Sequence, residues 1–114
     1  MTWLKINDAL KAPAGTAITV KGWVRTRRDS KADGGLSFLA ISDGTCFATL
    51  QAVARATLSN YQGDVQRLVS GCSVEIDGTL VASQGKGQSI ELEASAVRVV
   101  GWVDEPETYP ISQK

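Results

Sequence analysis

The sequence has no histidine, only two cysteines, and no long apolar run in its 114 residues. Each absence excludes something. Without histidine, the usual general base for a serine or cysteine nucleophile is missing. Cys46 and Cys72 alone fall short of the four Cys or His ligands of a structural zinc site. They read instead as small buried hydrophobes in a reducing compartment rather than as a disulfide. No stretch approaches the ~18 apolar residues of a spanning helix. The opening MTWLKINDALKAP lacks a basic segment followed by an apolar one of signal-peptide length, so a cytoplasmic address and no membrane partner are expected. Walker loops, GxSxG, HExxH and CxxC are also missing, and Gly85-Lys86-Gly87 is too short to cradle a phosphate. No catalytic residue, no metal and no cofactor is expected of this chain.

Net charge is absent too, with 12 basic and 12 acidic side chains. Their distribution is uneven. Lys21, Arg25, Arg27, Arg28 and Lys31 crowd into one short segment opposed only by Asp29, while Asp104, Glu105 and Glu107 gather near the end. A neutral total with a local basic segment is compatible with a nucleic-acid footprint.

The length suits one domain with one core. Residues 6–10 are expected to form a helical turn capped by Asn7 or Asp8 and ended by Pro13 and Gly15. From Ala17 the pattern has period two. Ile18, Val20, Gly22 and Val24 share one face, and Thr19, Lys21, Trp23, Arg25 and Arg27 the other, with Gly22 as a bend or bulge. Residues 29–35 compose a turn, and residues 36–42 a second strand ending in the hairpin signal Asp43-Gly44. Residues 47–53 make a third strand, on which Phe47, Thr49, Gln51 and Val53 share a face. Residues 58–69 carry Leu58, Tyr61, Val65, Leu68 and Val69 at helical spacing, weakened by Gly63. Residues 73–82 and 89–100 are the fourth and fifth strands, joined by a glycine-containing loop at 83–88. This order is that of an all-β protein with one helix: a five-stranded Greek-key OB-fold barrel, its helix between strands 3 and 4. The domain is bounded at residues 1–102. Residues 103–114, with two prolines and three acids, read as a linker toward a catalytic domain that is absent.

A barrel is a platform, and its function depends on side chains. Single-stranded nucleic acid asks for cations along its backbone and flat rings for splayed bases. The basic segment supplies the cations, although Lys and Arg also serve as guards of a solvated strand edge. Phe38 supplies a ring that points outward if Leu39 and Ile41 form the core pair, and inward otherwise. Trp23 shares a face with Lys21 and Arg25, but packing under the lead-in segment is the favoured reading. Gln51 offers a donor and an acceptor to a base edge. Ser89 and Glu91 face outward on the fifth strand, where a carboxylate selects amino donors and repels phosphate. Glu91 and Glu93 have no pocket, base or metal ligand with which to act as a catalytic pair.

The stretch VKGWVRTRRDSKADGGLSFLAISDGT brings these residues together in the order GWV-x-x-x-R-D…F-x-x-x-x-D-G. It resembles the N-terminal anticodon-binding domain of class IIb aminoacyl-tRNA synthetases. LQAV, GCSVEIDG, VASQGKGQ and GWVDEPETYP follow the bacterial asparaginyl branch in order, so the resemblance runs from about Val20 to Pro110. It implies that Phe38 stacks on the central anticodon base and that Gln51 hydrogen-bonds the same base, a uridine. It implies an anticodon-loop contact for Arg28, phosphate or loop contacts for Arg25, Arg27 and Lys31, and a third-base position at Ser89 or Glu91. The implied partner is the anticodon loop of tRNA(Asn). ATP and Mg2+ belong to the full-length enzyme, which is expected to be a homodimer, whereas the domain alone need not dimerise. The motif 2 and motif 3 arginines that hold ATP are missing, so the chain is expected to bind RNA without catalysing ligation. The alternative is a free-standing OB-fold single-stranded nucleic-acid-binding protein.

Overall fold

Alternating apolar side chains become the inside of a closed barrel in a computed structural model, which describes residues 2–31, 34–45, 48–82 and 90–103. The elements are β1 (Thr2–Trp3), α1 (Ile6–Ala9), β2 (Ala17–Ser30), β3 (Leu36–Ser42), β4 (Leu50–Arg55), a 3-10 turn (Val65–Arg67), β5 (Ser73–Ala82) and β6 (Ile90–Gly101). β2 pairs antiparallel with both β3 and β5, β3 with β4, and β5 with β6. A short parallel pairing of β4 with β6 closes the ring, giving the five-stranded OB-fold barrel expected from the pattern. Ile18, Val20, Val24, Leu39, Ile41, Leu50, Ile76, Leu80 and Leu92 are fully buried in its core. Each such side chain contributes roughly 1.5–3 kcal/mol by leaving water. Cys72 is buried among them with a free thiol. Cys46, Phe47, Ser89, the 83–88 loop and residues 104–114 lie outside the described residues.

β2 departs from simple alternation. Val24 faces Ile41 and Thr26 faces Ala40, so the register slips at Arg25 and one extra residue enters β2. Such a bulge reverses the side-chain phase of everything after it. Arg27 therefore falls on the inner side with Val24 and Leu39, and Arg28 on the outer side opposite Phe38. The expected grouping of Arg27 with Lys21 and Trp23 is corrected accordingly. The bulge is at Arg25, while Gly22 answers a different demand: a Cβ there would collide with the Ser42 carbonyl oxygen of β3.

The segment between β4 and β5 is not the expected α-helix across 58–69. It is a run of turns with one 3-10 turn at Val65–Arg67. Asn60 O accepts from the amides of both Asp64 and Val65, and Tyr61 O from that of Gln66, so helical bonding starts without settling into one period. Side chains instead fix the segment to the barrel. Tyr61, Val65 and Leu68 are buried, and Asn60 Nδ2 donates to Val97 O at 2.7 Å. At the N-terminus α1 forms where expected, but neither Asn7 nor Asp8 caps it. Asp43, from the turn after β3, accepts the Ile6 amide at 2.8 Å, and Thr45 Oγ1 accepts that of Asn7. Burial pushes the Asp43 carboxyl up, but hydrogen bonds from Thr45 and the Ile6 amide outweigh it and hold it below its ordinary value.

Candidate nucleic-acid interface

The outward faces of β2, β3, β4 and β6 form an open groove of about 690 Å³, closed at one side by Val81 and Ala82 of β5. Phe38 lies in its wall. Leu39 and Ile41 are the core pair of β3, so the alternation turns the Phe38 ring out of the barrel. The Arg28 guanidinium stacks over that ring, Cζ 4.8 Å from the centroid. The β2–β3 register causes this, because Arg28 and Phe38 are direct partners after the bulge. Gln51 joins them from β4, where it pairs with Ala40, two residues from Phe38. Cross-strand diagonal neighbours lie about 7–8 Å apart, within reach of one base. Gln51 Nε2 donates to Glu91 Oε2 of β6 at 2.9 Å. Arg55 and Glu93 line the same floor and make a bidentate ion pair, with Nη2 to Oε1 at 3.1 Å. A cation, a ring and an amide thus share one groove built on rigid strands, which suits an unpaired base.

Residues 18–100 match the tRNA anticodon family described as the OB-fold nucleic acid binding domain. The chain belongs to that family. This OB-fold domain is also 60% identical, over its whole length, to an asparagine–tRNA ligase of Yersinia pestis (strain Pestoides F), and 57% identical to that of Aeromonas hydrophila subsp. hydrophila. It spans 24% of the length of each of those relatives. Among solved structures, asparaginyl-tRNA synthetase from Pyrococcus horikoshii complexed with asparaginyl-adenylate superposes with a TM-score of 0.76. It is 19% identical, and the match covers 98% of this chain and 27% of that one.

The OB-fold domain brings Arg28, Phe38, Gln51 and Glu91 into the groove, and leaves other sequence candidates outside it. Arg27 serves the barrel end. It donates from Nη1 to Val65 O at 3.3 Å and lies 3.7 Å from Asp29. Asp29 in turn accepts the Ser37 hydroxyl at 2.6 Å, and Ser37 shares a 3.0 Å hydrogen bond with the Tyr61 hydroxyl. Ser37 is fully buried, so this network plugs the barrel under the 3-10 turn. Arg25 is exposed at the bulge, its carbonyl accepting the Ser70 hydroxyl. Lys31 is exposed and lines a neighbouring depression with Gln62 and Gln66. Trp23 is not buried under the lead-in; it is 41% exposed. Ser89 lies outside the described residues.

Arg55 is a groove residue that sequence reasoning missed, and the expectation that Glu91 and Glu93 have no pocket is corrected, since both line the groove. A third strand ending at Val53 leaves Arg55 unread, although it continues the Gln51–Val53 face by one more alternation. Away from the groove, where β2, β5 and β6 meet, Arg98 donates to Asp77 at 2.7 Å and to Glu75 at 3.3 Å. The Arg98 hydrogen bonds, helped by Thr19, hold the Asp77 carboxyl down at about 2. No helix among the described residues is long and apolar enough to cross a membrane.

Proposed function

We propose that this OB-fold domain reads the anticodon loop of tRNA(Asn) and is the RNA-binding part of an asparagine–tRNA ligase. The observation that carries the proposal is the convergence of the Arg28–Phe38 stack and the Gln51 amide in one open groove. The 60% identity to asparagine–tRNA ligases supports the choice of tRNA. Phe38 takes the central anticodon base on its face, Gln51 reads that base's edge, and Arg28 holds the loop beside them. Arg25 and Lys31 meet phosphates from the rim. The third base is assigned to Ser89 or Glu91, following the resemblance. In the complete ligase, a catalytic domain binds ATP and Mg2+ and attaches asparagine to the tRNA, and two subunits assemble in the cytoplasm.

A competition titration tests this. A fluorescent stem-loop bearing a GUU anticodon should bind with micromolar or weaker affinity, and unlabelled GUU loop should displace it far better than a scrambled loop. Equal displacement by both would make the domain a general single-strand binder. Amino-acid-dependent ATP–pyrophosphate exchange by these 114 residues alone would contradict the assignment of chemistry to another domain.

A further inference from the structure

Gln51 has a defect as a base reader when taken alone. Its amide presents a donor and an acceptor of nearly the same size, and rotation by half a turn exchanges them. Uracil presents an N3–H donor beside the O4 acceptor. Cytosine presents an N3 acceptor beside the N4 amino donor. The two edges have the same shape and opposite order, so an amide free to turn satisfies both.

The groove removes that freedom. Gln51 Nε2 lies 2.9 Å from Glu91 Oε2. A carboxylate accepts and does not donate, so the Gln51 atom facing it is the nitrogen. The parallel β4–β6 pairing sets this contact in the backbone: Val53 partners Glu93, and one alternation earlier Gln51 stands beside Glu91. With one amide hydrogen committed, Gln51 keeps its Oε1 acceptor and its second hydrogen in a fixed order. Turning the amide over would set its oxygen against the carboxylate, two acceptors in contact. We propose that Glu91 is a positioning residue that locks the Gln51 amide, so that the base on Phe38 is read in one donor–acceptor order and uracil is separated from cytosine. This rests on the proposal that the groove binds an anticodon loop centred on uridine.

The test uses the 114-residue chain and two stem-loops that differ only in a central uridine or cytidine. For the parent, the uridine loop should bind roughly tenfold or more tighter, the usual worth of one well-made bidentate base contact. Glu91→Gln keeps the size of the side chain but accepts or donates, so both amide orientations become available. The ratio of the two affinities should fall to within about twofold, whatever happens to either affinity alone. A residue that only supported the strand would weaken both loops and leave the ratio unchanged. If Glu91→Gln retains the parental ratio, or if the parent does not distinguish the loops, the lock is wrong and the RNA-binding proposal stands. If the parent binds neither loop, that proposal falls and takes the lock with it. Phe38→Ala should weaken both loops, which places the base in this groove; unchanged binding of both would overturn the lock.

Discussion

Phe38→Ala removes a stacking surface without touching charge or core. The inward residues of β3, Leu39 and Ile41, are unaffected, and the ring faces the groove under Arg28. A base stacked on an aromatic is worth about 1–3 kcal/mol, so the dissociation constant of an anticodon stem-loop should rise roughly 5- to 150-fold. Stability should also fall, by the lost cation–π contact together with the apolar burial of a half-buried ring, about 1–3 kcal/mol in all. The discriminating measurement is salt dependence. For single strands the slope of log K against log salt is about −0.7 per neutralised phosphate, and Phe38 neutralises none. Anisotropy titrations of parent and variant across salt should therefore give parallel lines, displaced by a constant. Lys31→Ala should behave differently, costing little at high salt and flattening the slope by about 0.7. Stem-loop binding by Phe38→Ala as tight as the parent's, or a slope change like that of Lys31→Ala, would refute stacking as the role of the ring.

Gly22→Ala should destabilise the barrel by about 1–3 kcal/mol or more, because its new Cβ meets the Ser42 backbone carbonyl rather than a side chain that can move. Urea melts should show a lower midpoint with unchanged m. Asp43→Ala withdraws the acceptor of the Ile6 amide and should cost about 0.5–2 kcal/mol, measured the same way, with hydrogen exchange of the Ile6 amide accelerated. Asp77→Asn tests a pH dependence. The Asp77 carboxyl is held at about 2, below its ordinary 3.8, so its contribution is full above pH 4 and is lost as pH falls toward 2. The parent should exceed the variant by about 0.5–1 kcal/mol at neutral pH, and the two should converge in acid.

The strands were legible because alternation is a direct consequence of a barrel with one wet face. Leu36–Ser42 and Ser73–Ala82 have the bounds their patterns predict. The bulge at Arg25 was not legible, since it is a backbone event with no required residue, and the nearby Gly22 drew attention to the wrong position. One inserted residue decided which arginine enters the groove. Residues 58–69 misled for a different reason. Tyr61, Val65 and Leu68 have helical spacing because all three cover the barrel end, and turns anchored by Asn60 deliver them there without an α-helix. The cap of α1 came from Asp43, far along the chain, where only the folded barrel reveals a partner. Within the site, Phe38 was undecided on pattern alone, and the burial of Leu39 and Ile41 decides it. The pairing of Gln51 with Glu91 depends on a parallel register that alternation within either strand does not encode.

The groove's charges suit the proposed RNA loop although the chain as a whole is neutral. Arg28 and Arg55 on the floor and wall are matched by Glu91 and Glu93, and Arg55 is held by Glu93 in two hydrogen bonds. A phosphate brought to that floor would meet two carboxylates and find Arg55 already engaged. An uncharged base meets no such penalty, and finds a ring, an amide and a guanidinium stacked on the ring. Cations with no ion pair among the described residues include exposed Arg25 and Lys31, on the same strand and its exit and outside the groove. Bases are thereby favoured inward and the backbone outward, an orientation that an evenly basic groove would not impose. Excess positive charge strengthens binding to any strand, and therefore to wrong ones. A floor balanced to zero leaves discrimination to stacking and to the amide edge, the contacts that distinguish one base from another.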